Sequence, residues 1–187
     1  MPLLVTVYTG LQLIDEAPNA ALVSAKYFDS EASALQVGGD QLVYIDPATA
    51  GIFAARLPPL TLGGVYRVSG PTQSYTIGSY EDYEEWREWL CRLMLGVRCE
   101  ILFEKPARYA GNPFTRLIDF SDSEGWIGHA DCVVLAAAFK ARIDSARRSA
   151  SVTQRPYLFD TYQQFAAAFA LAAESGGAVQ FHEMRTP

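Results

Sequence analysis

At Ser79 the chain changes character, and that change limits the folds open to it more than any other feature. Before it, short β-branched and aromatic runs are broken by glycine and proline; after it, apolar residues recur at helical spacing over long stretches. Strands first and helices after, closed by a late strand, is the pattern of an α+β domain; a doubly wound sheet would alternate the two. The chain has 187 residues, 50% of them hydrophobic, which suits one core better than two. The expected architecture is a single α+β domain with a mixed or antiparallel sheet and about three main helices packed on it. It would be strand-rich over about residues 1–78 and helix-rich over about residues 79–187.

Within the first part, residues 3–8 read as one strand and residues 41–45, after Gly38 and Gly39, as another. Residues 9–40 fit helix, strand or loop. Residues 57–60, Leu-Pro-Pro-Leu, break any helix, and residues 65–68 and 74–77 around a Gly70-Pro71 turn read as a hairpin. Ser79, with Asp82 three residues on, has the spacing of a capping box, so a helix is expected over residues 80–95. Tyr83, Trp86, Leu90 and Leu93 mark its apolar face, Glu88 and Arg92 pair along it, and Gly96 stops it.

Further along, residues 97–103 read as a strand ended by Pro106, and residues 113–120 as a short helix entered through Pro113. A long helix then buries Cys132, Leu135, Ala136, Phe139 and Ile143, with Arg147 and Arg148 near its end and a polar connector over residues 149–155. Asp160 with Gln163 caps a last helix whose inward face is Tyr162, Phe165, Ala166, Phe169 and Ala173; Gly176 and Gly177 end it. Residues 178–182 read as the closing strand.

The formal net charge of −6 argues against sequence-independent nucleic-acid binding, which needs a cationic face. Charge is segregated: Lys26 is the one cation in the first 55 residues, while Lys140, Arg142, Arg147, Arg148 and Arg155 crowd a short later stretch. Three cysteines, without metal or redox spacing, point to a reducing compartment. No basic, apolar leader opens the sequence and no run is long enough to span a bilayer, so a cytoplasmic protein without membrane contact is expected.

The densest polar stretch is residues 119–131, between two expected helices. With Gly125 at the turn position of a calcium-binding loop, Asp122, Glu124, Ile127 and Asp131 take positions three, five, eight and twelve. Phe120 then occupies position one, where it cannot ligate a hard cation, so a metal site on Asp122, Glu124 and Asp131 is the weaker reading. A rigid corner is the plainer one: side chains cap the turn, Gly125 and Gly128 supply unusual dihedrals, and Trp126 and Ile127 enter the core. A catalytic alternative sets Glu124, or Asp119 or Asp122, with His129 as general acid and base. The sequence has no nucleophile elbow, phosphate loop or dinucleotide fingerprint, and no cofactor is expected.

Aromatic residues concentrate around the first long helix, and stacking with arginine clamps would suit a planar, phosphorylated ligand. The candidate ligand-binding residues are Tyr83, Trp86, Arg87, Trp89, Trp126, Arg142 and Arg147, with Trp89 pointing away from the core face of its helix.

The segment Gly78-Ser79-Tyr80, Tyr83, Trp86-Arg87, together with Asp119-Phe120-Ser121-Asp122, Glu124-Gly125 and Ile127-Gly128, resembles a group of uncharacterised bacterial and prophage proteins. The ending Gly176-Gly177-Ala178-Val179-Gln180-Phe181 is similar to theirs as well. The resemblance brings no activity with it, but a prophage setting implies an anti-defence protein that acts by binding. The expected function is therefore noncatalytic: sequestering a small nucleotide-like ligand or blocking a host protein, with self-association left open. The alternatives are a hydrolase-like enzyme using residues 119–131 and an acidic immunity or inhibitor protein for a basic partner.

Overall fold

The computed structural model describes residues 2–17, 35–37, 40–120 and 124–183. In chain order its elements are β1 (Pro2–Tyr8), β2 (Leu11–Glu16), β3 (Leu35–Val37), β4 (Asp40–Tyr44), α1 (Pro47–Ala50), a 3-10 helix (Gly51–Arg56), β5 (Gly64–Val68) and β6 (Thr72–Ser79). There follow α2 (Tyr80–Leu95), α3 (Cys99–Glu104), α4 (Pro106–Tyr109), α5 (Thr115–Ile118), β7 (Gly125–Ile127), α6 (His129–Thr153), α7 (Pro156–Ser175) and β8 (Ala178–Glu183). One sheet has the order β6-β1-β8-β7 and the other β2-β5-β4-β3, with every pairing antiparallel. This is the expected α+β class.

Alternation along β1 sends Leu3, Val5 and Val7 to one face, and all three are fully buried. They join Ile77, Val179 and Phe181 from the neighbouring strands and Trp86, Phe139, Phe165 and Phe169 from the three long helices in one core. A smaller cluster, with Tyr8, Ile45, Leu57, Tyr66 and Trp126, fills the junction with the second sheet. Burial on this scale, at about 25 cal/mol per Å² of apolar surface, is the main force holding helices to sheet.

The local signals for α2 hold. The Ser79 side chain accepts from the Asp82 amide, Asp82 accepts from the Ser79 amide at 2.9 Å, and Gly96 closes the helix in the left-handed region. Gly176 ends α7 in the same way, and β8 follows as expected.

Four expectations are corrected. Residues 65–68 and 74–77 are strands but not a hairpin: β5 pairs with β2 and β4, and β6 pairs with β1. The ribbon β1-β2 against β5-β6 turns a corner where the Ser69 amide donates to Gly10 O and the Gly70 amide to Thr9 O, both at 3.2 Å. Gly10 has φ +63°, and a Cβ on Gly70 would lie 2.2 Å from Thr9 Oγ1, so the backbones meet more closely than side chains permit. Residues 97–103 hold the helix α3, because Glu88 reaches across from α2 and accepts from the Cys99 amide at 2.8 Å, capping its first turn.

The stretch 149–155 is no connector. Helix α6 runs on to Thr153 because Ala146 and Ala150 are buried and continue its apolar stripe. Nor does Asp160 cap the last helix: α7 begins at Pro156, whose missing N–H suits the first turn, and Asp160 lies exposed inside it. Strands β2 and β3 fall in residues 9–40, which fit helix, strand or loop alike, and strand β7 inside the 119–131 stretch had no reading of its own.

Candidate functional site

Three segments far apart in sequence bring charge to one place. Arg56 ends the 3-10 helix, Arg116 lies in α5, and Asp131 sits in the first turn of α6, where the helix dipole favours an anion. Asp131 is only 4% exposed. Its Oδ1 accepts from Nη1 of Arg116, while its Oδ2 lies 3.9 Å from Nε of Arg56. That Nε and that Oδ2 are buried without a hydrogen-bond partner among the described residues. Arg56 is thus held by charge, with its hydrogen-bonding capacity partly unused.

The backbone fixes this arrangement. The amide of Gly128 donates to Arg56 O at 2.7 Å and that of Ala130 to Pro58 O at 3.1 Å, strapping residues 56–58 onto the start of α6. Gly128 has φ −75°, so the unusual dihedral expected there is absent. Its requirement is space: a Cβ would lie 1.9 Å from Leu57 O. Gly125, at φ +155°, does carry the expected conformation.

Arg56 and Arg116 line a cleft of about 240 Å³ together with Pro106, Ala107, Ala110, Thr115 and Asp119. Thr115 donates from its hydroxyl to Tyr109 O at 2.8 Å, which fixes α5 against the end of α4. Burial pushes the Asp119 carboxyl above its ordinary range, opposed by the nearby Arg56 and Arg87. Arg87 donates to Phe120 O and stacks over the rings of Tyr83 and Phe103, each centroid 5.5 Å away. Two guanidiniums, those of Arg56 and Arg116, therefore belong to the cleft itself, and planar N–H forks of this kind match phosphate or carboxylate oxygens.

The aromatic residues expected to stack on a ligand do not converge on a cavity. Tyr83 and Trp86 are fully buried and Trp89 and Trp126 nearly so. Trp86 Nε1 donates to Leu158 O at 3.1 Å and Trp89 Nε1 to Ser149 Oγ at 3.0 Å, so both indoles spend their polar atom inside the fold. Trp89, expected to point outward, meets Tyr162 edge to face because α7 packs there. Trp126 packs on Tyr8 in the smaller cluster, at 5.3 Å between centroids.

Of the arginines, Arg87 is spent on Phe120 O and the rings of Tyr83 and Phe103, Arg142 is exposed on α6, and Arg147 lies elsewhere, over Phe159 in a shallow groove of about 370 Å³ at the α6–α7 turn. Arg147 is shared with Asp144 at 3.8 Å and both are well exposed, whereas Arg56 and Arg116, which line the cleft, are both paired with the buried Asp131.

Of the catalytic alternatives, Glu124 is exposed, and His129 has Nδ1 3.3 Å from Ala172 O. A carbonyl only accepts, so Nδ1 carries the proton and is committed to α7. Asp122 lies outside the described residues, and Asp131 is engaged by the arginines and not open to a cation. Among the described residues no group of three or more His, Cys, Asp or Glu is placed to hold a metal. Cys132 is buried, which pushes its thiol up, and it donates to Ile127 O. No described helix is long and apolar enough to cross a membrane.

Arg56, Arg116 and Thr115 were not among the residues the sequence singled out. Asp119 and Asp131, which bracket the polar stretch, were the nearest signal. Arg56 had none of its own, because only the Gly128 strap brings it there. No family model, curated protein or solved structure matches the chain.

Proposed function

We propose that this is a noncatalytic binding protein whose Arg56–Arg116 cleft takes the phosphate of a small nucleotide-like molecule. The observation that carries the reading is the pair of arginines, Arg56 and Arg116, that line one open cleft and are both paired with one buried carboxylate, Asp131. Prepositioned forks spend little entropy when an anion docks. At about 240 Å³ the cleft suits a phosphate with an attached sugar-sized piece, leaving a base against the outer surface. With the prophage resemblance, the role proposed is sequestration of a nucleotide signal.

The test is a thermal-shift panel of cyclic and linear nucleotides, inorganic phosphate and sulfate on the native protein and on Arg56→Ala. A ligand at about a hundred times its dissociation constant adds about 2.7 kcal/mol, or several degrees. A shift that Arg56→Ala reduces supports the reading; a flat panel overturns it.

The second reading is a protein partner, favoured by the exposed Ile101 and Phe103 on α3, the helix leading into the Pro106–Ala107 wall. Salt-insensitive capture of one partner, lost on Phe103→Asp, would support it.

A further inference from the structure

We infer that Asp119 takes up a proton when a dianion fills the cleft between Arg56 and Arg116, so that affinity for the anion rises as pH falls. The inference rests on the anion-binding reading above and adds its regulation.

The geometry begins with shared space. Asp119 and Arg116 line the same cleft of about 240 Å³, with Arg56 beside them. An anion that reaches both guanidiniums therefore has the Asp119 carboxyl within several ångströms. At about 5 Å and an effective dielectric near 20, two like charges repel by an amount that outweighs thermal energy several times over.

The charged groups around Asp119 come from each neighbouring element. Arg56 enters from the 3-10 helix, Arg87 from α2 and Arg116 from the same short helix as Asp119's own turn. Asp131 and His129 stand at the start of α6, the first engaged by Arg116 and the second by Ala172 O. Lys105 and Arg108 flank the wall residues Pro106 and Ala107 and are exposed.

In the empty cleft, burial already disfavours the charged carboxylate, and Arg56 and Arg87 work against that. A bound dianion draws on Arg56 and adds a like charge, so both changes favour the neutral acid. The proton comes from solvent, and the resulting O–H donates to an anion oxygen where the carboxylate would only repel it. Because the bound state holds the proton more tightly than the free state, linkage requires tighter anion binding at lower pH.

Sulfate is the probe, since it stays a dianion from about pH 5 to pH 7.5 while phosphate itself titrates there. Its dissociation constant is measured from amide NMR shifts at constant ionic strength for the native protein and for Asp119→Asn, an isosteric change that keeps the fold. The expected result is about fivefold or more tighter binding at pH 5 than at pH 7.5 in the native protein. In Asp119→Asn one constant should hold at both pH values, near the native low-pH value. Saturable binding with equal native constants overturns the inference and leaves the anion site standing, as does a pH dependence that survives in Asp119→Asn. Absence of saturable sulfate binding to both proteins at both pH values overturns the anion site itself.

Discussion

The amide of Gly128 donates to the carbonyl of Arg56 across 2.7 Å, and this bond ties an arginine of the cleft to the helix that carries its counter-charge. Arg56 and Asp131 are therefore held together as one unit, although three strands, three short helices and α2 separate them in sequence.

Replacing Gly128 by alanine should break that unit. The new methyl would fall 1.9 Å from Leu57 O and 2.4 Å from Pro58 O, both backbone atoms that cannot turn aside. The expected cost is about 2–4 kcal/mol by urea denaturation, with loss of the sulfate response. An unchanged midpoint would mean that the strap yields easily.

Asp131→Ala leaves Arg56 and Arg116 facing one another without the carboxylate between them. Arg116 keeps 37% of its side chain in solvent, which screens it, so the cost should fall below that of a fully buried pair, at about 1–3 kcal/mol. Denaturant midpoints of the single variants and of Asp131→Ala with Arg116→Ala should show the double variant losing less than the sum.

Asp119→Asn should stabilise the protein near neutrality. Burial raises the native carboxyl above its unfolded range, so the unfolded chain releases its proton first as pH rises. Stability from this group is fully present below the unfolded range and is lost as pH rises through the raised native one. Melting temperatures of native and variant protein should converge below about pH 3 and separate, with the variant higher, near pH 7. A variant less stable at both would assign Asp119 a structural hydrogen bond.

Trp86→Ala tests the aromatic cluster. A fully buried indole with its N–H bonded inside should cost about 3–5 kcal/mol on truncation. A stacking surface for a ligand would instead lose affinity at little cost in stability. Arg147→Ala, exposed over Phe159, should move the midpoint by about 0.5 kcal/mol or less.

What was legible in the sequence was local. Ser79 and Asp82 are three residues apart, Gly96 and Gly176 act at their own positions, and the stripe Cys132, Leu135, Phe139 lies within one helix. What escaped depends on contacts between distant segments. The apolar run at residues 99–104 fits strand or helix by period, and Glu88, 11 residues away, decides it through the Cys99 amide. The turn at Gly70 marks a bend, but only the crossing with Gly10 makes it a corner between sheets. The cleft escaped for the same reason, since a lone Arg56 at the end of a Gly-Ala-rich stretch carries no local mark.

Strand β1 has a consequence for the order in which the molecule can be made. It lies between β6 and β8, so its second ladder, Leu3 to Glu183 through Tyr8 to Ala178, awaits the far end of the described chain. At about 5–20 residues per second, a nascent chain spends many seconds with Leu3, Val5 and Val7 lacking that neighbour. Pairing with β6 and docking of α2 can come early, but the sheet's interior is completed only when Ala178–Glu183 arrives. Synthesis halted before that strand would leave the most apolar strand of the fold with an open edge, a template for other chains.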